Sequence, residues 1–582
     1  MKPVRLPASA TLALPRWALF ALTLLYILPG LFGRDPWKNE DASSFGIMWS
    51  MAHGSLSDWL APNIAGLPMP QEGPLAFWIG ALCIKVFGTF IGDVMASRIA
   101  TVLFFLLGAL SVWHATYGLG KRSEAQPLRL AFGGQPEARD FGRTLADGAL
   151  LIYLGLLGLL AHSHSSSAGA LHVSMMAFVL YVAIQLFDTG SLRSAAVLGL
   201  GLGASVLTRG YVAPVALAIA LLILAAMRER KIFVRLLLVS VPLAFLVPGA
   251  WVMAAMAQPF GSTPIADWLH WNNRMLGWPS WEPMKYFLKN GIWFAWPAWP
   301  FASWAVYAWR KQISALHIIL PLLFVNIIAL LVLLAPTFDE KILLPMLPPL
   351  AILAAFGLPT MKRGAINAVD WFSVMTLTTC AAFIWLGWIA KQTGWPAQLA
   401  RNAFKLAPGF KPEFGWIAFL TAAAATVAWF VVVNWRLSRR PQVLWRAVVL
   451  SSGGVILCWL LLMTLWLPWG NFMKSYAGVA QQIASSFPVT PNCVDTNIGP
   501  AQRASFAFFG RIPFGPANHT NYAVSMEADT TQCDFLLLQD KNRLDSANEP
   551  RLLRDGARWK LLWEGRRASD RDERFRLYQR LK

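Results

Sequence analysis

Charged residues are scarce in this sequence. Only 14% of its 582 residues are Asp, Glu, Lys or Arg, against about 25% in an average soluble domain, whereas 56% are hydrophobic. A soluble chain of this length would need more charge to cover the surfaces of several domains. The composition therefore excludes an ordinary cytosolic enzyme and a disordered protein, and it indicates a polytopic membrane protein.

Cysteine is also rare, and the usual nucleotide and redox motifs are missing. Five Cys in the whole chain exclude a disulfide-rich secreted scaffold. The sequence contains no P-loop and no CxxC pair. We therefore expect neither a nucleotide nor a redox cofactor.

Long apolar runs are abundant instead. Runs of about 17–25 apolar residues are long enough to cross a bilayer as helices. The sequence predicts thirteen such spans, at 16–33, 95–117, 145–161, 173–188, 194–208, 211–227, 233–256, 287–308, 314–335, 342–359, 371–390, 415–433 and 447–467. A shorter run, 74–90, is predicted to lie along the outer interface.

Basic clusters predict the orientation of these spans. The net charge is +20, and Lys and Arg gather in short loops at 121–143, 228–235, 310–311, 362–363 and 436–446. This arrangement is typical of cytoplasmic loops rather than of a nucleic-acid-binding surface. If 74–90 does not span, the N-terminus and all these clusters are cytoplasmic. Segment 34–94, with its interfacial helices, and the chain after about 470 then lie on the outer, periplasmic side of a bacterial inner membrane.

The composition changes after residue 469. Residues 470–582 contain no run of span length, and short apolar runs alternate with charged, turn-rich stretches. We predict a multispanning domain at 1–469 and a small soluble α/β domain at 470–582. Cys493 and Cys533 both lie in the second part. They could form a disulfide in an oxidising compartment, and two free thiols are the alternative.

The loop at 34–73 has the densest polar content near a predicted membrane surface. Its carboxylates are Asp35, Glu40, Asp41, Asp58 and Glu72. Carboxylates at the mouth of a helical bundle are suited to activating a hydroxyl nucleophile or to holding a metal. The alternative is that they only solvate the loop.

The order of short motifs in this loop distinguishes the two interpretations. An acidic pair in Trp37-Lys38-Asn39-Glu40-Asp41 is followed by Met51, a Ser-Asp-Trp-Leu-Ala-Pro turn at 57–62, an Ala-Gly-Leu-Pro turn at 65–68, and Gln71-Glu72-Gly73-Pro74 before an aromatic run. In this order and spacing the loop resembles the first periplasmic loop of the ArnT-like lipid-linked-sugar glycosyltransferases. These enzymes have the multispanning GT-C fold and are related to the protein O-mannosyltransferases.

The resemblance implies a GT-C fold and an inverting glycosyltransferase. Such an enzyme moves a sugar from a polyprenyl (undecaprenyl) phosphate to a hydroxyl of a lipid, glycan or protein acceptor. Its partners would be this donor, the acceptor and membrane lipids, without nucleic acid or nucleotide. Alignment on Trp37 places Glu40 at the position of the catalytic base, and a slip of one residue would place Asp41 there.

The resemblance also implies cations for the donor phosphate and a metal site. Arg274 and Lys341 lie in predicted external stretches similar to those of the family, and Arg209 lies at a turn between two predicted spans. The alternative for each cation is an anchor at the membrane interface. Some family members hold zinc through the motif Glu and a later His, which implies Glu72 with His270 as the nearest available His.

Two departures from the family pattern keep other functions open. Gly73 replaces the family's Lys, and segment 168–178 lacks the family's second Asp, with His172 in that neighbourhood. These departures would suit a non-catalytic relative. A transporter of lipid-linked glycans is another alternative, but it predicts charges at mid-membrane. Polar residues here gather in the external loops, which favours an enzyme.

Overall fold

The structure is a computed structural model that describes residues 4–581 except 130, 132, 338, 439–442, 516–532, 541–558 and 571–572. Helices make up most of the described residues among the first 260. The α-helices of this part are Arg16–Ile27, Glu40–His53, Leu56–Leu60, Leu75–Ile91, Asp93–Lys121, Ala138–Leu154, Leu157–His162, Ala168–Thr189, Leu192–Arg209, Val212–Arg228, Arg230–Arg235 and Val241–Met256. A 3-10 turn, Ala8–Thr11, precedes them, and a π-helical stretch, Leu236–Ser240, joins the last two.

Helices continue through the rest of the apolar part of the chain. The α-helices are Thr263–Asn273, Trp281–Phe294, Ala298–Ala308, Leu316–Leu333, Leu347–Ala355, Arg363–Thr393, Ala397–Leu406, Trp416–Ser438, Val449–Leu465 and Leu467–Lys474. Short 3-10 turns occur at Arg310–Gln312, Glu340–Met346, Leu358–Thr360 and Leu444–Ala447. A short antiparallel ribbon, Asn63–Ile64 with Leu67–Pro68, lies in the first loop.

Several predicted spans are broken or short as helices. Within the described residues, seven helical stretches are long and apolar enough to cross a membrane, or eight if the bent pair Val449–Leu465 and Leu467–Lys474 is one span. The predicted run 287–308 is interrupted before Pro297, whose missing N–H cannot continue a helix. The run 74–90 forms the helix Leu75–Ile91. The total of thirteen spans and the interfacial position of this helix stay predictions.

A four-stranded sheet lies beyond residue 490 in the described part of the chain. Its strands lie side by side in the order Val494–Thr496, Phe535–Asp540, Arg574–Arg580 and Trp559–Gly565. The first pair is parallel and the other pairs are antiparallel. Helices Ala477–Ser485 and Pro500–Phe509 share a hydrophobic core with the sheet. Cys493 and Cys533 form a disulfide, so the free-thiol alternative does not hold here.

The helix Pro500–Phe509 packs against the helix that begins at the acidic pair, Glu40–His53, which we call the acidic-pair helix. Gly46 and Ala504 are so close that a Cβ added at Gly46 would lie 2.4 Å from the Ala504 methyl. Arg503 is buried and donates hydrogen bonds of 3.1 and 2.7 Å to the carbonyl oxygens of Ile64 and Ala65 in the first loop. The C-terminal region therefore packs directly against the acidic-pair helix and the first loop.

Candidate active site

The acidic-pair helix begins at Glu40, and Glu40 and Asp41 occupy its first turn. Negative side chains are favoured there because the unpaired N–H groups give a helix N-terminus a partial positive charge. Neighbouring residues on a helix point about 100° apart, since a turn contains 3.6 residues. The two carboxylates therefore face different surroundings.

Asp41 is buried and fully engaged in hydrogen bonds. Both of its oxygens accept from Arg98, at 2.6 and 2.8 Å, and one accepts from Arg34 at 3.3 Å. The backbone N–H groups of Trp37 and Ser166 donate at 3.2 Å each. Burial by itself would raise the pKa of Asp41, but the charges of Arg98 and Arg34 outweigh it and hold the pKa well below its usual range. Asp41 is thus a permanent anion that joins the helix to its neighbours.

Glu40 lies on the other side of the helix start. Its Oε1 is 3.1 Å from Nζ of Lys341, and no hydrogen bond to Oε1 is found among the described residues. The side chain as a whole is 22% exposed, although the Oε1 atom itself is buried.

Glu72 belongs to the same group of charges. Burial raises the pKa of Glu72, while the charges of Lys341 and Arg209 lower it and those of Glu40 and Asp339 raise it. The residue has a φ of 69°, a left-handed conformation that is uncommon outside glycine. The fold therefore brings together four residues that the sequence analysis chose from separate segments: Glu40, Glu72, Arg209 and Lys341.

A small cavity of about 60 Å³, which we call the cation cavity, opens beside this group. Arg209, Lys341 and His172 contribute its polar lining. Arg209 donates from Nη2 to Asp339 at 2.7 Å, whereas its buried Nη1 has no hydrogen-bond partner among the described residues. Nδ1 of buried His172 is likewise without a partner there. The guanidinium of Arg209 and the ammonium of Lys341 suit an anion with several oxygens, such as phosphate, and His172 adds a donor in the tautomer that carries its proton on Nδ1.

His172 is not among the site residues predicted from the sequence. It lies on the helix Ala168–Thr189, near the position where the family carries its second acidic residue, and this position is what could have indicated it. Nothing local in the sequence indicates that this position lies beside Arg209 and Lys341, which are 37 and 169 residues further along the chain.

Close backbone packing explains the glycine that replaces the family's Lys. The Gly73 N–H donates to the Thr208 carbonyl at 3.2 Å. A Cβ at Gly73 would lie only 1.9 Å from the carbonyl oxygen of Leu207. No side chain fits there without backbone movement, so in this chain a lysine cannot take the family's role at this position. The contact also presses Glu72 against the turn that carries Arg209.

We expect Gly73→Ala to lower the thermal stability of the purified protein. Overpacking a tight site costs about 1–3 kcal/mol, and the displaced backbone would also move Glu72 and Arg209 apart. Gly291→Ala is the matched control, because a Cβ at this helical glycine meets no atom within 4 Å. Thermal unfolding followed by tryptophan fluorescence tests both variants. A Gly73→Ala protein as stable as wild type would contradict the close contact.

Comparison with known proteins identifies the fold. No protein-family model matches the sequence, and a search of curated proteins found no match. The crystal structure of ArnT from Cupriavidus metallidurans in the apo state superposes with a TM-score of 0.65 and 16% identity, over 96% of this chain and 97% of that one. The structure of the same protein bound to undecaprenyl phosphate gives the same values. The chain has the ArnT-like GT-C fold.

Two residues implied by the family resemblance lie outside the charged group. Arg274 directly follows the helix Thr263–Asn273, on which His270 lies, and both side chains are exposed. Neither lines the cation cavity, although Met275 and Leu276 do. The role of Arg274 at the donor phosphate stays a prediction.

The residues around Glu72 do not fit a zinc ion well. No group of three or more His, Cys, Asp or Glu with metal-site geometry occurs in the part of the chain that the structure describes. The charged neighbours of Glu72 include Lys341 and Arg209, and cations next to a ligand oppose the binding of a divalent ion. We therefore derive no step through a metal, and the pair Glu72 and His270 stays a prediction.

Proposed function

We propose that the chain is an inverting glycosyltransferase. It would transfer a sugar from a polyprenyl phosphate to a hydroxyl of a lipid, glycan or protein acceptor at the periplasmic face of a bacterial inner membrane, with its N-terminus in the cytoplasm. The observation that carries this proposal is the division between the two acidic residues. The oxygens of Asp41 accept hydrogen bonds from buried arginines. The Glu40 side chain, in contrast, is partly exposed and lies beside cations that suit a phosphate. The bound undecaprenyl phosphate in the similar ArnT structure supports the donor class.

Glu40 acts as the general base in this proposal. Its carboxylate takes the proton of the acceptor hydroxyl while the hydroxyl oxygen attacks the anomeric carbon of the donor sugar. The bond between that carbon and the phosphate oxygen breaks, and the electron pair leaves with the phosphate. A single displacement of this kind inverts the configuration at the anomeric carbon.

The cation cavity stabilises the leaving phosphate. Arg209 Nη1 and His172 Nδ1 have no hydrogen-bond partner among the described residues, and Lys341 Nζ lies 3.1 Å from Oε1 of Glu40. Preorganised donors of this kind lower the energy of charge that develops in the transition state. A bound phosphate would also compete with Glu40 for Lys341. Donor binding therefore weakens the ion pair that otherwise keeps Glu40 occupied.

We expect Arg209→Ala to weaken the binding of undecaprenyl phosphate by about 10- to 100-fold. A charge-assisted hydrogen bond contributes about 1.5–3 kcal/mol, which corresponds to one to two decades in affinity. Arg401→Ala is the control, because Arg401 is exposed on the helix Ala397–Leu406 and does not line the cation cavity. Binding of the lipid phosphate to purified protein measures both. If Arg209→Ala binds like wild type, the phosphate site lies elsewhere.

Mass spectrometry of the cell envelope tests the function itself. Glycolipids and glycoproteins are compared between cells that contain the protein, cells that lack it and cells that contain Glu40→Gln. We expect a sugar-sized mass increment on one class of molecule that only the wild-type protein produces. Identical spectra from all three cells would contradict a glycosyltransferase and favour a non-catalytic relative.

A further inference from the structure

A second and larger cavity lies on the other side of Glu72. It measures about 210 Å³ and is formed between the first loop and the residues around the helix Thr263–Asn273. We call it the aromatic cavity because Trp251, Phe260 and Trp268 line it. It is smaller than the roughly 300–1,000 Å³ of pockets that enclose drug-sized ligands. Its size therefore suits one ring rather than an extended chain.

The charges of this cavity differ from those of the cation cavity. Its lining residues include Asp58, Glu72 and Asp267 and contain no Lys, Arg or His among the described residues. Asp58 is occupied, since one oxygen accepts from the backbone N–H of Ser55 at 2.6 Å and the other from Asn63 at 2.8 Å. No cation among the described lining residues would offset the repulsion between these carboxylates and a phosphorylated ring, which disfavours such a ring.

Trp268 supplies an independent indication of a ligand. The residue is 5% exposed, and its indole Nε1 has no hydrogen-bond partner among the described residues. Edge-on contacts with Trp251 at 5.4 Å and with Tyr211 at 5.9 Å fix the ring. The neighbouring Trp251, in contrast, donates to the Leu60 carbonyl at 3.0 Å. A buried N–H without an acceptor costs about 1–3 kcal/mol. A ligand in this cavity that accepts a hydrogen bond from the Trp268 indole would remove this cost.

The two kinds of polar group in the lining define the ligand chemistry. Carboxylates accept hydrogen bonds, whereas the Trp268 indole can only donate one. A phosphate group, which presents only acceptors when ionised, cannot satisfy the carboxylates. Hydroxyl groups donate and accept, and a sugar ring carries several of them. The flat aromatic walls offer an apolar surface to the carbon side of such a ring.

We propose that the aromatic cavity is a subsite for a polyhydroxylated sugar ring that carries no phosphate. This inference rests on the proposed glycosyl transfer and deepens it, because Glu72 borders this cavity and also lies within the electrostatic reach of Glu40 and Lys341. The ring belongs either to the donor or to the acceptor. In the second case the acceptor is a glycan and not a phosphorylated head group.

Saturation-transfer NMR on the full chain in detergent tests the subsite. The probes are the methyl glycosides of glucose, galactose and mannose, with glucose 6-phosphate as the charged comparison. We expect at least one methyl glycoside to bind and glucose 6-phosphate to bind at least tenfold more weakly. Trp268→Phe keeps the ring but loses the N–H, so glycoside affinity should fall about three- to tenfold. Trp278→Phe is the control, because Trp278 is 94% exposed.

Unchanged glycoside affinity in Trp268→Phe, equal binding of glucose 6-phosphate, or no binding of any glycoside would overturn the subsite. A polyprenyl-phosphate glucose then separates the two sources of the ring. If it displaces the glycoside, the ring is the donor's, and if both bind together, the ring is the acceptor's. Glu40→Gln should bind the glycoside like wild type. Glycoside binding without any transfer by the wild-type protein would contradict the proposed function and leave the subsite intact.

Discussion

Replacing Glu40 by Gln is expected to lower the rate of sugar transfer by about 10²–10⁴, the usual contribution of a general base. Glutamine has nearly the same shape but cannot take the proton of the acceptor hydroxyl. The thermal stability should stay close to that of wild type, because Glu40 makes only a partly exposed ion pair with Lys341. Transfer from a radiolabelled polyprenyl-phosphate sugar and thermal unfolding of the same preparation provide the two measurements.

Measuring the affinity for the donor distinguishes a role of Glu40 as the base from a structural role. In Glu40→Gln, Lys341 loses one of its anionic neighbours and becomes more available to the donor phosphate, while Glu72 remains nearby. We therefore expect the affinity for undecaprenyl phosphate to be equal to or higher than that of wild type, while turnover falls. Wild-type turnover in Glu40→Gln would exclude Glu40 as the base.

Replacing Asp41 by Asn should have the opposite pattern, with a large loss of stability. Arg98 is 3% exposed and Arg34 5%, and both donate to this carboxylate. Breaking a buried ion pair by removing one partner costs about 3–5 kcal/mol, because the remaining charge stays buried without compensation. We expect a lower yield of folded protein and a clearly lower unfolding temperature.

A neighbouring carboxylate provides the control for Asp41. Asp35 lies in the same loop and forms no ion pair among the described residues, so Asp35→Asn should unfold like wild type. Unfolding temperatures of both variants in the same detergent make the comparison. If Asp41→Asn is as stable as wild type but inactive in transfer, the base is Asp41 and the assignment moves by one residue.

The class of the protein and the location of its site follow from local features of the sequence. Low charge and long apolar runs require a membrane environment, because a soluble surface cannot be built from them. The acidic pair falls at a helix start, as expected where negative side chains meet free backbone N–H groups. These local features did not show whether each predicted span forms one continuous helix. Apolar runs such as 287–308 look uniform in composition, but the chain turns within them.

The roles of individual site residues depend on contacts between distant segments. Glu40 and Asp41 are chemically similar neighbours, and hydrogen bonds from Arg98 and Ser166, 57 and 125 residues after Asp41, help to distinguish them by occupying Asp41. Gly73 looks like the loss of a phosphate ligand until the Leu207 backbone is seen against it. Periodicity and motif order report what each segment buries and where it turns. Burial, charge compensation and steric room are set by whichever segments pack together, so only the tertiary structure decided which carboxylate is available to a substrate.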